Sequence, residues 1–290
     1  MKKKFKKISG ITLLEMLIGI VISSIMMGAL YTSYTVVNGS YTQVADKETI
    51  SRTGRDIVGM LLRDIRMAGY FDVESIKIAG NEMHPLIIGK STNFSGASRI
   101  CDKIRIVYGD IVYNKGSTPE YDYPIYRIDY RCKKSTIPNR KAQKNAAGTF
   151  PTKDLFAIYK EKKSWNRSTG SWNDPTTDND PKTYGHELII DHVEDLIFNP
   201  IDANGEIITP TPNLSNQNRL YDIKSVDILI ILRSPDPFYK KAKQRAAYAF
   251  SNKPLRNKAL NDKFLRETIV VTANARNIGI AKWTIKKDLL

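Results

Sequence analysis

Residues 11–30 carry one charge among twenty, Glu15, and they follow directly on a cluster of five lysines, Lys2, Lys3, Lys4, Lys6 and Lys7. Twenty apolar residues wound as a helix span roughly 30 Å, the hydrocarbon thickness of a bilayer. By the positive-inside bias the lysines stay on the cytoplasmic side, so the bulk of the chain lies across the membrane. A carboxylate on such a helix costs about 2.5–3.5 kcal/mol near the bilayer centre and less towards its edge, so Glu15 calls for a partner. The nearest plausible cation is an amino group at Ile11, which exists only if the chain is cut after Gly10. A secretory signal peptide has the same basic-then-apolar order but is cut beyond the apolar run at small residues of the A-x-A type, and no clean site of that type follows here. A plain signal anchor has no need of Glu15.

Beyond residue 31 the composition is that of ordinary folded protein, with 9% aromatic and 26% charged residues in the whole chain. The formal charge is +15, and removal of the five leader lysines leaves +10. About 220 residues remain for one large domain or one with big insertions. No proline precedes Pro85, so a helix begun at Ile11 can run on unbroken. From Gly54 the pattern is helical: Ile57, Leu61 and Ile65 recur every four residues with Val58 and Leu62 beside them. Arg55, Asp56, Arg63, Asp64 and Arg66 are assigned to the opposite face, and Gly69 is the stop. Gly19, Gly28, Gly39, Gly54 and Gly59 each weaken the helix by up to about 1 kcal/mol, and close packing or local melting during assembly would explain them.

Strands follow. Lys103-Ile104-Arg105-Ile106-Val107-Tyr108 alternates, with Ile111-Val112-Tyr113 expected to pair back on it. A second alternating strand runs from Pro124 to Cys132, and Leu155 to Tyr159 reads as a short one. Residues 133–150 and 161–185 read as long polar loops. Residues 187–198 lead to an Asn204-Gly205 hairpin signal. Lys224 to Leu232 is the most hydrophobic strand and is expected at the sheet centre, and Phe264 to Ala275 closes the sheet. Helix first and then mostly antiparallel strands means α+β. The organisation is therefore 1–10 leader, 11–31 membrane helix, 32–68 amphipathic continuation and 69–290 globular β-rich domain.

The hexapeptide Gly10-Ile11-Thr12-Leu13-Leu14-Glu15 resembles the type IV prepilin leader and N-terminal segment, with Ile11 where phenylalanine is usual. Four later blocks resemble PilW-type minor pilins: Arg63-Asp64-Ile65-Arg66-Met67-Ala68-Gly69-Tyr70; Asp191-His192-Val193-Glu194-Asp195-Leu196-Ile197-Phe198, with His192 where glycine is common; Val226-Asp227-Ile228-Leu229-Ile230-Ile231-Leu232-Arg233-Ser234; and Phe264-Leu265-Arg266-Glu267-Thr268-Ile269-Val270-Val271-Thr272 with Arg276-Asn277. The same segments are shared loosely with minor pseudopilin J of type II secretion. The resemblance implies a type IV pilin-like fold and a non-enzymatic subunit without cofactor. Cleavage falls between Gly10 and Ile11, Ile11 is N-methylated, and Glu15 serves assembly. The implied partners are the prepilin peptidase, other minor pilins and the major pilin, the inner-membrane assembly platform and membrane lipid, with a tip adhesin and DNA as further candidates. The implied location is the inner membrane with a periplasmic domain, then the pilus tip. The alternatives are a type II secretion pseudopilin and a membrane-tethered periplasmic or DNA-binding module.

Two cysteines in an exported domain, Cys101 and Cys132, carry the expectation of a disulfide, with free thiols as the alternative. Three histidines, His84, His186 and His192, show no zinc spacing. His186 with Glu187, and Asp191 with His192, would point to opposite faces of a strand, which argues against an acid–base pair. Asp174, Asp178 and Asp180 have oxygen ligands for calcium but not the EF-hand spacing. From Asp236 onward 13 Lys/Arg face four Asp/Glu, whereas residues 172–195 hold one lysine against seven acidic residues. Tyr239, Tyr248, Phe250 and Phe264 interleave with the basic residues Lys240, Lys241, Lys243, Arg245 and Lys253, so a solvated surface, a docking patch and single-strand DNA contact are all compatible with this segment.

Overall fold

The computed structural model describes residues 12–70, 84–91, 101–116, 118–136, 138, 145–149, 155–213, 215–216, 219–234, 237–239, 241–247 and 258–278, without the side chains of 243–247 and 258–260. The chain divides into two units, one ending at Glu48 and one beginning at Thr49. A single helix, α1 (Leu13–Met67), supplies the described part of the first unit and the opening of the second. From residue 12 to 42 every side chain is exposed, the apolar ones included.

In the second unit α1 buries Ile50, Gly54, Ile57, Leu61, Asp64 and Ile65, a stripe at steps of three and four residues. Gly54 sits on this stripe because a Cβ there would stand 2.2 Å from Ile269 Cδ1 and 3.0 Å from Leu232 Cδ1. Among the described residues nothing comes within 4 Å of such a Cβ at Gly19, Gly28, Gly39 or Gly59, so of these five helix glycines only Gly54 meets a described neighbour. The helix ends where sequence places its stop. Gly69 takes φ +73°, and Asn277 Nδ2 donates to the Arg66 carbonyl at 3.1 Å, covering one of the helix's unpaired C-terminal acceptors.

The sheet is antiparallel throughout. Its strands are β1 (Leu86–Gly89), β2 (Lys103–Gly109), β5 (Ile125–Lys134), β6 (Phe156–Asn166), β8 (Tyr184–Ile201), β9 (Ser225–Arg233) and β12 (Arg266–Asn274), hydrogen-bonded in that order. β7 (Ser171–Trp172) pairs with β6. Two hairpins stand apart, β3 (Val112–Tyr113) with β4 (Tyr121–Asp122), and β10 (Lys243–Ala247) with β11 (Lys258–Asp262). One face of the sheet meets α1 through Ile104, Ile106, Ile128, Ile158, Phe198 and Ile230, among others, in one continuous core. The fold is α+β, a long N-terminal apolar helix whose second half packs on an antiparallel sheet.

Several local expectations are corrected. Ile111 to Tyr113 does not fold back on β2, because β3 pairs with β4. The strand expected at Leu155 to Tyr159 runs on to Asn166 and turns into β7, so the first part of the supposed 161–185 loop is sheet. β9 lies next to the sheet edge, not at its centre, and is apolar because it is paired on both sides, by β8 and β12. At His192 (φ +64°) the alternation of β8 breaks, and the register against β9 slips by one residue between Val193 and Asp195. Glycine adopts such a φ without Cβ strain, so a non-glycine residue here is held in the left-handed region at the bulge.

Cys101, just before β2, is bonded to Cys132 on the adjacent β5, with Cα atoms 5.7 Å apart. That separation lies at the usual value for a disulfide. Closing a loop of this length stabilises the domain by roughly 3–4 kcal/mol on the chain-entropy model. Thiol labelling of the denatured, unreduced chain should find no free thiol, whereas two labelled cysteines per chain would reject the bond.

Candidate functional site

The N-terminal turn of α1 is a reciprocal cap. Thr12 N donates to Glu15 Oε2 at 2.8 Å, Thr12 Oγ1 donates to the same oxygen at 3.0 Å, and Glu15 N donates to Thr12 Oγ1 at 3.2 Å. This is the capping box of a Thr-x-x-Glu sequence, which satisfies two donors that a helix start otherwise leaves open. The charge-pair expectation for Glu15 leaves out this local role, although Thr12 stands three residues before it. Gly10 and Ile11 lie outside the described residues. Beyond the cap, Leu13 is 83% and Val44 67% exposed, and the large apolar side chains between them are exposed as well. This helix is long and apolar enough, by length and composition, to cross a membrane.

The second site feature lies at the other end of α1. Asp64 is 2% exposed and faces the sheet, not the solvent face that its charge suggested. Its Oδ2 accepts from Tyr130 Oη of β5 at 2.5 Å and stands 2.7 Å from Lys160 Nζ of β6, itself 4% exposed. The ammonium of Lys160 also lies 5.4 Å from the Tyr130 ring centroid. Burial first, and then the Asp64 charge, push the Tyr130 phenol far above its ordinary value, so it stays a donor. Three elements are thus joined through one carboxylate, and the signal was present in sequence. Positions 57, 61, 64 and 65 share one helical face, so the spacing includes Asp64 where polarity excludes it.

Two of the strand segments singled out in the sequence, in β8 and β12, meet each other. Glu194 of β8 accepts from Arg266 Nε of β12 at 2.5 Å, and Arg266 Nη2 also donates to Asp262 at 2.6 Å. Arg266 is therefore tied to carboxylates and is no part of a free basic surface. Of the proposed basic–aromatic patch, Lys240, Tyr248, Phe250 and Lys253 lie outside the described residues, while Phe264 lies beneath Arg233, 4.3 Å from its guanidinium carbon.

The acidic segment is used internally. Asp174 accepts from Thr176 N at 3.0 Å, Asp178 from Ser164 Oγ at 2.6 Å and Asp180 from Tyr126 Oη at 2.6 Å. The hydrogen bonds from Thr176, backbone first, hold the Asp174 carboxyl below its usual range. Among the described residues no three His, Cys, Asp or Glu side chains gather as a metal would need.

Residues 5–31 match the prokaryotic N-terminal methylation motif. The chain thus carries a prepilin-type N-terminus, the segment that sequence reasoning singled out. Among solved structures it is similar to a type IV-like pilin from Thermus thermophilus, at 10% identity over 79% of this chain and 96% of that one, with a TM-score of 0.45. No curated protein matches the chain.

Proposed function

We propose that this chain is a minor pilin of a type IV pilus, of the PilW type, that primes filament assembly and forms part of the tip complex. The observation that carries this proposal is the methylation motif joined to a helix whose residues 12–42 are exposed throughout. Such a helix needs an apolar medium before and after assembly: first the inner membrane, then the packed helices of a filament. The chain waits as a single-pass precursor with its domain in the periplasm. The prepilin peptidase removes residues 1–10 and methylates Ile11. The mature subunit then joins other minor pilins and the major pilin on the assembly platform, and acts there without catalysing a reaction. Its globular domain of about 220 residues suits a cap better than a repeating subunit.

Mass spectrometry of the mature chain should find a methylated Ile11 at its start, and Gly10→Val should leave the precursor uncut. An intact leader in cells with active peptidase would overturn the proposal. Purified pili should contain the chain at low abundance. Its absence from pili, together with loss of protein secretion on deletion, would assign it to type II secretion instead.

A further inference from the structure

The sheet face turned away from α1 holds a cleft of about 420 Å³ across β2, β5, β6 and β8. Cross-strand pairing builds its floor. Arg105, Asp129 and Glu161 form one row, and Arg127 and Lys163 pair in the next. Lys103 and Arg131 extend the cationic lining, so five cations face two carboxylates, a net +3 with His186 neutral.

The two carboxylates are shared out thinly. Asp129 accepts from Arg105 Nε at 2.9 Å on one oxygen and lies 2.8 Å from Arg127 Nε on the other. Glu161 lies 3.4 Å from Arg131 Nη2 and 3.3 Å from Lys163 Nζ, both longer than a well-formed charged hydrogen bond. Arg131 Nε is buried and donates to no acceptor among the described residues. Its Nη2 lies against the ring of His186, whose pKa is lowered by burial first and by Arg131 next, so that ring adds no charge at neutral pH. Arg127 and Glu161 are only 9% and 8% exposed, whereas Lys103 is exposed and the Arg105, Arg131 and Lys163 side chains are partly so, which leaves them within reach of a ligand.

We propose that this cleft binds a small ligand bearing two or three clustered negative charges on oxygen, a polycarboxylate or a phosphate ester. The net lining charge sets the ligand's charge, and the guanidinium groups match paired oxygens. The cavity volume lies at the lower end of the range for small-molecule sites. The site is formed by four strands of one chain.

The test is isothermal titration of the full chain in detergent at low ionic strength, with citrate and inorganic pyrophosphate as separate probes. At least one should bind saturably at one per chain, and the better of the two identifies carboxylate or phosphate as the natural group. Lys103→Glu and Arg131→Ala should each weaken binding about tenfold or more, the scale for losing one charged contact. Lys103 is exposed, so its replacement leaves the fold intact, and thermal melting checks this. Lys115→Glu, an exposed lysine outside the cleft, should bind as the unaltered chain does. No saturable binding of either probe would overturn the proposal. So would cleft variants that bind no more weakly than Lys115→Glu.

Discussion

Asp64→Ala is expected to destabilise the globular domain by about 3–5 kcal/mol, the range for breaking a buried ion pair from one side. The substitution strands the Lys160 ammonium, 4% exposed, and leaves the Tyr130 hydroxyl without the carboxylate that accepts its hydrogen bond. Both groups then sit between helix and sheet with their desolvation uncompensated. The loss should appear as a lower midpoint in chemical denaturation followed by tryptophan fluorescence, since Trp165 and Trp172 lie on β6 and β7. Asp64→Leu combined with Lys160→Met and Tyr130→Phe should recover most of the loss, because apolar groups of similar volume replace the buried ion pair and its phenol donor at little cost. If Asp64→Ala unfolds at the same denaturant concentration as the unaltered chain, the carboxylate does not hold the helix to the sheet.

That carboxylate also shows how far residue spacing can be trusted. The step from Ile57 to Leu61 to Ile65 predicted the docked face of the helix, and the same phase places Asp64 on it. Its polarity argued for the other face and misled, because the compensating cation comes from a strand about a hundred residues later, a pairing with no local signature. The continuation of β6 was hidden for the same reason. Lys160 and Lys162 stand on the face turned towards α1, where a lysine is not expected. Lys160 is accommodated by Asp64, and the Lys162 ammonium lies 4.0 Å from the Tyr126 ring centroid. Burial first, and then the Lys182 charge, lower the Lys162 pKa, as a half-buried ammonium requires. The N-terminal segment was legible because a bilayer imposes length and polarity on consecutive residues, which sequence displays directly. The Thr12–Glu15 cap was equally local, and it was overlooked because a rarer explanation for Glu15 was at hand. The off-centre place of β9 was not legible, since strand order depends on long-range pairing and not on the apolar content of one strand.

Glu15→Gln is expected to leave membrane insertion and leader removal intact and to reduce co-assembly with partner pilins by about a hundredfold or more. In the single subunit Glu15 is satisfied locally, by Thr12 N at 2.8 Å and Thr12 Oγ1 at 3.0 Å. On the proposed function, cleavage after Gly10 would create an ammonium at Ile11, four residues away, and assembly would carry both charges into an apolar bundle of helices. There the effective dielectric falls and an unpaired charge is penalised. In that setting a neighbouring subunit would offer the complementary group, carboxylate to ammonium, and the pairing would fix axial register, the best-attested use of a buried polar pair. Glutamine keeps the capping geometry, since Glu and Gln serve alike at that place in the box, but it removes the charge. Glu15→Ala removes both. If Glu15 acts only as a cap, Glu15→Gln should co-purify with partner minor pilins as well as the unaltered chain while Glu15→Ala does not. If the charge pairs between subunits, both variants should be processed, and both should be depleted from the complex to a similar degree. Breaking a buried pair costs about 3–5 kcal/mol, and each 1.4 kcal/mol is tenfold, which sets the expected hundredfold as a lower figure. Glu15 can enter one such pairing only, so the depletion should sit near that lower figure. Quantitative mass spectrometry of the complex, with each variant normalised to its processed membrane pool, separates the two outcomes.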